Sequence, residues 1–455
     1  MPIVFGTGNK LGDYNGYFTN SLNQEGAGAS GSTMANKFLQ DMKAGRDCLD
    51  IVIVGDSNAG NGDRGWFYGW EKALLTAGVA PYATCLVPCM HTSAANTRGG
   101  MYSGLLLTNN TDRAVGQSGG QAWLATGSAN GGAANTFVST VWGNVNGDLW
   151  TWGTSLDWAY VAAGSDQKAS FGTDMASASP FNVKSNFKFR VGYVTFPFGS
   201  GSFSLACYSN TAAALVSSGT WQTADTDYSL KTATLDVPAD AARTGTIRFF
   251  KYSGFTAAQG ATGPVGFLFE SIYRKGVKGS AVNMLHYYGG RQTGQTAATL
   301  STNINTVKTY LKELRERQID AGGTGRVLVF TTLGINDVAA GQIGNYGANM
   351  NQLIGTFNKA WAELKFPISD LAFAVTVTHP TVSDDANQAT ARAQAKSSVA
   401  FGAGGQVAFV DLNQATSYNY LNSNSYYAQD GFNNAHLTEA GYGASADILL
   451  AALLK

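Results

Sequence analysis

The stretch Asp50–Asn58, DIVIVGDSN, decides the fold class. Its four β-branched residues, Ile51–Val54, follow one another without a polar interruption, which predicts a strand of a parallel sheet that is buried on both faces. Gly55 ends this run, and Ser57 comes two residues later. Because open α/β sheets bind their ligands at the carboxyl ends of the strands, we expect Ser57 to lie at a functional edge.

Outward from this stretch, helical and strand patterns alternate. Apolar runs predict strands in RVLVFTTLG, LAFAVTVTH and QVAFVDL, and apolar residues at helical spacing predict helices in INTVKTYLKELRERQ and TEAGYGASADILLAALL. On the N-terminal side, ANKFLQDMKAG and WFYGWEKALLTAG predict helices, and YATCLVP predicts one more strand. This order is typical of a flavodoxin-like α/β fold with helices on both faces of a parallel sheet.

The middle of the chain has a different pattern. Between residues 96 and 279, Gly, Ser, Thr, Asn and Trp are frequent, and FKFRVGYVTF, GSFSLACYS, GTIRFFKYS and VGFLFESIYR alternate with period two. We therefore predict an inserted all-β domain of the sandwich or jelly-roll kind over residues 96–279, within a discontinuous α/β domain of residues 33–95 and 280–455. The glycine- and asparagine-rich residues 1–32 are predicted to be an N-terminal arm or attachment segment.

The composition excludes several classes of partner. Of the 455 residues only 13% are charged, and 30 basic and 30 acidic side chains leave no net charge, so we expect neither nucleic acid nor an anionic membrane as a partner. No signal peptide and no membrane-spanning run is recognisable. The four cysteines lack the spacing of a zinc site and are expected to be free and buried, and no metal is predicted. Six of the nine tryptophans lie in the inserted region, where core packing is favoured over sugar binding: Trp123, Trp142, Trp150, Trp152, Trp158 and Trp221.

The loop around Ser57 fits nucleophilic catalysis better than ion binding. GDSNAGNG has no lysine where a phosphate-binding loop needs one, and DSNAGNGDRGWF has no carboxylate at the last position of a calcium loop. A serine nucleophile needs a base and oxyanion donors. Asn336 ends another predicted strand, His436 precedes the last helix with Asp430 upstream, and His379 is expected to line the same edge. An α/β-hydrolase elbow is a rival interpretation of the loop, although that elbow follows several strands.

These motifs carry a resemblance to a known family. GDSN after the first strand, GIND in the middle of the chain and a final D…HLTEAGY resemble, in order and spacing, the SGNH hydrolases, also called GDSL esterases and lipases. The segment NMLHYYGGRQTGQT is similar to the family block that carries an oxyanion glycine, for which Gly290 is our choice and Gly289 the alternative. The resemblance covers the two α/β segments and leaves the inserted region out.

The resemblance implies a mechanism and a site. Ser57 would attack an ester carbonyl, His436 would act as base and then as acid, and Asp430 would orient the imidazole. The oxyanion hole would consist of the Ser57 and Gly290 backbone N–H groups and the Asn336 amide. No cofactor is implied.

One departure from the family concerns the acid. The family places its aspartate three residues before the histidine, where this chain has Asn433, whereas Asp430 lies six before. Either the loop is longer and Asp430 still reaches His436, which we favour, or the carboxylate is replaced.

The expected function is therefore a serine esterase that removes O-acyl groups, above all O-acetyl groups, from a carbohydrate or surface polysaccharide through an acyl-serine intermediate. An acylated glycan is the expected partner. A glycine- and asparagine-rich N-terminal arm without a recognisable signal peptide is similar to phage virion proteins that deacetylate host surface glycans. This resemblance implies a virion or extracellular location, with a homo-oligomer in a phage tail or fibre. The alternative function is an inactive glycan-binding or structural virion protein of the same fold.

Overall fold

The fold is described from a computed structural model of the chain. The residues described are 33–60, 65–84, 86–88, 124–125, 159–161, 167–171, 186–195, 202–209, 215–222, 229–239, 248–256, 265–287, 290–377, 379–381, 386–398, 403–432 and 434–455. The expected N-terminal arm, residues 1–32, lies outside them.

The strands follow the predicted apolar and alternating segments. In chain order they are β1 (Leu49–Gly55), β2 (Val87–Pro88), β3 (Leu124–Ala125), β4 (Ala159–Val161), β5 (Gln167–Phe171), β6 (Phe187–Thr195), β7 (Ser202–Ser209), β8 (Leu215–Gln222), β9 (Ser229–Val237), β10 (Arg248–Thr256), β11 (Val265–Tyr273), β12 (Ser280–Tyr287), β13 (Val327–Thr331), β14 (Leu371–Val375) and β15 (Val407–Phe409).

The helices lie mainly in the two α/β segments. In chain order they are α1 (Met34–Lys43), α2 (Ser57–Gly60), α3 (Trp66–Thr76), α4 (Thr293–Thr302), α5 (Ile304–Ala321), α6 (Ile335–Ala339), α7 (Tyr346–Glu363), α8 (Ala386–Ser397), α9 (Leu412–Thr416), α10 (Tyr418–Ser423) and α11 (Glu439–Leu453).

A parallel sheet organises the α/β part. Among the described residues its strands run in the order β12-β1-β13-β14-β15, and all of the adjacent pairs are parallel. Alternate residues of β1 face opposite layers: Ile51 and Ile53 join the apolar cluster with α1, α3 and α11, whereas Val52 and Val54 join the cluster with α5 and α7. The predicted parallel sheet with helices on both faces is thus confirmed, and the carboxyl ends of β12, β1 and β13 lie side by side.

The predicted strand at Tyr82–Pro88 is wrong in its extent. Of the residues described in this segment, only Val87 and Pro88 form a strand, and they pair antiparallel with β11. The preceding residues form isolated bridges, from Pro81 to Ser280 and from Ala83 to Tyr273. The position beside β1 is occupied by β12, so the parallel sheet continues only after the chain returns from the β region.

Antiparallel strands form two further sheets in the middle region. Within the described residues, one sheet has the order β3-β4-β11-β6-β9, with β2 also paired to β11, and the other has the order β5-β10-β7-β8. The two sheets touch through Tyr193 of β6 and Phe203 of β7, whose ring centroids are 5.0 Å apart. Because much of 96–279 lies outside the described residues, the sandwich domain and the domain boundaries stay predictions.

Two smaller expectations concern this region and the cysteines. Trp221 is partly buried and stacks on Phe203 with ring centroids 5.8 Å apart, as core packing requires, and the other five tryptophans of the region lie outside the described residues. Cys48 is a free, buried thiol and Cys207 is buried, whereas Cys85 and Cys89 lie outside the described residues. None of the helices described is long and apolar enough to cross a membrane.

Candidate active site

Ser57 lies where β1 turns directly into α2. The turn is tight: a Cβ built on Gly55 would lie 2.7 Å from the Cβ of Ala59, so only glycine fits there. Ser57 is the first residue of α2 and is partly exposed, while both of its neighbours, Asp56 and Asn58, are buried. The local backbone therefore presents a serine hydroxyl at the carboxyl edge of the sheet.

His436 and Asp430 complete a chain of hydrogen bonds to Ser57. The Nε2 atom of His436 lies 2.8 Å from Ser57 Oγ, and its Nδ1 atom lies 2.7 Å from Asp430 Oδ2. The side chains of His436 and Asp430 are 7% and 19% exposed, so bulk water screens this pair only in part. The structure thus brings together the three residues that the sequence proposes as nucleophile, base and orienting acid.

A small hairpin explains how Asp430 reaches the imidazole from six residues away. Tyr427 and Leu437 form an antiparallel bridge, and the Ala428 N–H donates to the His436 carbonyl over 2.9 Å. Asp430 and His436 therefore stand at the two ends of the hairpin loop and face each other. Asn433, the alternative acid position, lies outside the described residues.

Asn336 reaches the same edge from β13. It is the second residue of α6, and this helix begins directly after Gly334, whose φ of +134° suits glycine. The Asn336 Nδ2 atom donates to Asp56 Oδ2 over 2.9 Å and to the Arg291 carbonyl over 3.0 Å. Both N–H groups of this amide are therefore engaged in the structure.

Gly290 lies in the turn that follows β12. It has a φ of +77° and is exposed, and a Cβ there would meet nothing within 4 Å. The next residue, Arg291, supplies the carbonyl that Asn336 binds, so the turn lies beside the Asn336 amide. Gly289, the alternative oxyanion glycine, lies outside the described residues.

Asp56 is a neighbour of Ser57 that the sequence motifs did not predict as a site residue. Its Oδ1 atom accepts from the Asn58 N–H over 2.9 Å and from Asn58 Nδ2 over 3.1 Å, while Oδ2 accepts from Asn336. Burial raises the pKa of this carboxyl, and the Asn58 hydrogen bonds oppose that shift. Asp56 thus ties the Ser57 turn to Asn336. The sequence feature that could have pointed to Asp56 is its position between Gly55 and Ser57.

Two more side chains support the site from behind. Tyr442 of α11 donates its hydroxyl to Asn58 Oδ1 over 2.5 Å. Thr293 at the start of α4 donates from its backbone N–H (3.0 Å) and its hydroxyl (2.9 Å) to Asp337, the residue after Asn336. Burial raises the pKa of Asp337, against the effect of these two bonds. These contacts hold the Ser57 turn and the Asn336 turn in place.

His379 lies near the carboxyl edge of the sheet, as expected, but its side chain is buried and does not line an open pocket. It is fully buried, and its Nε2 atom lies 3.1 Å from the Asn434 carbonyl in the loop between Asp430 and His436. Burial, the largest cause, lowers the pKa of His379 to about 4, so the ring is neutral near pH 7 and donates this hydrogen bond. His379 therefore supports the loop between Asp430 and His436.

No group of three or more His, Cys, Asp or Glu side chains within the described ranges could hold a metal ion.

Comparisons with known proteins bear on the fold. No family model matches the sequence, and no curated protein matches it. Among solved structures, a peptidoglycan O-acetylesterase captured in action matches with a TM-score of 0.51 and 14% identity, over 92% of this chain and 95% of that one. At this identity the likeness shows the fold alone, and it supports the SGNH hydrolase-like fold expected from the motifs.

Two carbohydrate-binding modules also match, over smaller parts of the chain. The C-terminal module of LamC from Zobellia galactanivorans has a TM-score of 0.17 and 15% identity over 26% of this chain and 78% of that one. The module of the Cellvibrio mixtus lichenase 5A has a TM-score of 0.16 and 15% identity over 35% and 90%. Scores this low carry no argument. The expected place in a phage tail or fibre finds no support among these neighbours and stays a prediction.

Proposed function

We propose that this protein is a serine esterase that removes O-acetyl groups from a glycan through an acyl-serine intermediate. The observation that carries the proposal is the continuous hydrogen-bonded chain from Ser57 Oγ through His436 to Asp430. The likeness in fold to a peptidoglycan O-acetylesterase supports an acetylated glycan as the class of substrate.

The first half of the reaction forms the acyl-enzyme. His436 Nε2 accepts the Ser57 proton as Oγ attacks the ester carbonyl carbon, and the imidazolium then gives that proton to the departing sugar oxygen. For Nε2 to accept a proton, the neutral imidazole has to carry its hydrogen on Nδ1, and Asp430 Oδ2 accepts that hydrogen. In the second half, His436 takes a proton from water as the water oxygen attacks the acetyl carbon, the bond from that carbon to Ser57 Oγ breaks, and the imidazolium returns the proton to Oγ as acetate leaves.

The tetrahedral intermediate needs donors for its oxyanion. Ser57 and Gly290 supply backbone N–H groups in this proposal, and Asn336 supplies its side-chain amide. Because Asp56 and the Arg291 carbonyl engage both amide hydrogens, the oxyanion has to share or replace the Arg291 bond. The hydrogen bond to the buried Asp56 then keeps the Asn336 amide in place, while its other N–H donates to the oxyanion.

The test compares wild type, Ser57→Ala and a matched control. Ser301→Ala changes an exposed serine of α4 and serves as that control. We expect wild type and Ser301→Ala to release acetate from O-acetylated peptidoglycan and to react with a serine-directed fluorophosphonate. We expect Ser57→Ala to lose at least about 10³-fold in kcat and all labelling. A folded wild type with neither turnover nor labelling would overturn the proposal and favour the glycan-binding alternative.

A further inference from the structure

Phe432 is an exposed aromatic ring beside the candidate catalytic histidine. Its side chain is 62% exposed, and among the exposed large apolar side chains of the described residues it alone is aromatic. Its ring centroid lies 5.2 Å from that of His436, with the planes inclined by 66°. A single exposed apolar side chain is ordinary on a protein surface, but this ring packs edge-on against the candidate catalytic histidine, where a substrate has to approach.

The loop holds the backbone of Phe432 on both sides. The Phe432 N–H donates to Asp430 Oδ1 over 3.3 Å, and its carbonyl accepts from the Ala435 N–H over 2.9 Å. Gly431 and Asn434 take positive φ angles of 84° and 63°, which direct the chain through the turn. The added residues between the acid and the histidine thus present Phe432 at a fixed place.

The side of the site on which Phe432 lies tells which part of a substrate it meets. The ester carbonyl carbon has to approach Ser57 Oγ, while the leaving oxygen has to come within hydrogen-bond reach of His436 Nε2, which protonates it. The leaving group therefore lies on the imidazole side. In a glycan O-acetyl ester the leaving group is the sugar, so the sugar ring lies toward Phe432.

The chemistry of the two rings fits such a contact. A pyranose carries axial C–H groups that form an apolar face, and an aromatic ring offers a flat apolar face with a negative quadrupole. Phenylalanine has no polar atom to compete for the sugar hydroxyls. Resting on the proposed function, we infer that Phe432 is an aromatic platform that binds the sugar ring carrying the scissile acetyl group and so favours glycan esters over small acetyl esters.

The experiment separates binding of the sugar from support of the histidine. Acetate release is measured on O-acetylated peptidoglycan and on ethyl acetate, whose leaving group is too small to reach the platform. For Phe432→Ala we expect kcat/KM on peptidoglycan to fall about tenfold, mainly through KM, and kcat/KM on ethyl acetate to stay within about twofold of wild type. Phe432→Trp should retain activity on the glycan, and Phe432→Leu should not.

A control variant and three contrary results make this test decisive. Ile368→Ala removes another exposed apolar side chain, which lies next to the N-terminal end of β14 at the opposite edge of the sheet. This variant should leave kcat/KM unchanged on both substrates. An equal loss on both substrates would show that Phe432 only shields the histidine. No loss on either substrate, or full activity of Phe432→Leu, would also overturn the platform.

A binding measurement keeps this inference apart from the proposed esterase activity. If wild type hydrolyses neither ester, the esterase proposal fails. Co-sedimentation of Ser57→Ala with O-acetylated peptidoglycan, with and without Phe432→Ala, still tests the platform. Weaker co-sedimentation of the double variant supports it, and equal co-sedimentation contradicts it.

Discussion

At the scale of single residues, the acid of the candidate triad depends on a loop. Asp430 stands six residues before His436, yet its Oδ2 atom lies 2.7 Å from Nδ1 because the bridge between Tyr427 and Leu437 closes the loop at its base. A carboxylate at this place fixes which ring nitrogen carries the hydrogen. In the proposed reaction, Asp430 would orient the imidazole and stabilise the imidazolium.

Replacing this acid should slow the chemical step. Asp430→Asn keeps the size of the side chain but removes the negative charge that stabilises protonated His436, and its amide N–H₂ favours the wrong tautomer. We expect kcat for acetate release to fall by at least about 100-fold with little change in KM. Steady-state kinetics and the rate of fluorophosphonate labelling measure this. Wild-type kcat in this variant would mean that Asp430 does not serve as the acid.

His379 illustrates a buried group whose protonation the fold opposes. Its pKa is about 4 in the folded chain against an ordinary value of 6.5. Between these two values the unfolded chain binds more protons, so acid favours unfolding. The stability that depends on neutral His379 is complete above about pH 6.5 and declines as the pH falls toward 4.

The corresponding prediction compares His379→Gln with wild type across this pH range. A glutamine amide can still donate to the Asn434 carbonyl but does not titrate. We expect the free energy of unfolding of wild type to fall by on the order of 3 kcal/mol more than that of the variant between pH 7 and pH 4. Urea unfolding at several pH values gives both curves. Parallel curves would show that His379 keeps its ordinary pKa.

At the scale of elements, the close packing of α3 on α11 positions the site. A Cβ at Gly69 of α3 would lie 2.7 Å from the Tyr442 carbonyl oxygen of α11. Tyr442 in turn holds Asn58, next to Ser57. α11 begins directly after its cap residue Thr438, which lies two residues after His436, so the placement of α11 also sets the end of the hairpin that carries His436.

Gly69→Ala should therefore reduce both stability and activity. The added methyl group has to push α11 away, and overpacking of this kind destabilises by about 1 to 3 kcal/mol. Because Tyr442 moves with the helix, we also expect a lower kcat. Gly344→Ala is the control, since a Cβ there meets nothing within 4 Å. Thermal unfolding and acetate release measure the two effects, and equal behaviour of both variants would contradict this account.

At the scale of the whole molecule, charged contacts join the antiparallel strands to the α/β part. Along β6, Phe187, Phe189 and Val191 are buried in an apolar cluster, while the residues between them point to α5. There Arg190 pairs with the largely buried Glu313, and Lys188 lies 3.0 Å from Asp320. One strand thus belongs to the core of its own sheet and also contacts the helical layer.

The Arg190 and Glu313 pair should act as a junction between the two parts. Arg190→Met leaves a carboxylate that is 5% exposed without its main partner, which costs about 3 to 5 kcal/mol. In the double variant Arg190→Met with Glu313→Leu, we expect most of that loss to be recovered. Lys312→Met is the control, because its pair with Glu316 is exposed and worth about 0.5 kcal/mol or less. Calorimetry measures the unfolding of all three variants.

The buried pair of Arg317 and Asp50 completes this junction. Arg317 Nη2 donates to Asp50 of β1 over 2.5 Å, and Nη1 donates to the Thr84 carbonyl over 2.7 Å. Tyr82 also donates to Asp50. The first charged residue of the stretch that decides the fold is therefore satisfied by α5 and by the segment that leaves for the β region.

The sequence by itself determined the α/β architecture and the edge at which the site lies. The continuous run of Ile51–Val54 requires burial on both faces, and the strand ends bring Ser57 and Asn336 to one side of a parallel sheet. These features are local patterns of apolar and turn residues, and such patterns do not depend on contacts between residues far apart in the sequence.

Only the tertiary structure decided how the site residues meet. The reach of Asp430, the bond from Asp56 to Asn336 and the exposed place of Phe432 each depend on loop closure or on contacts between residues far apart in sequence. The pairing of Val87 and Pro88 with β11 has the same origin. Local propensity cannot specify such contacts, because their geometry is set by packing of whole elements against one another.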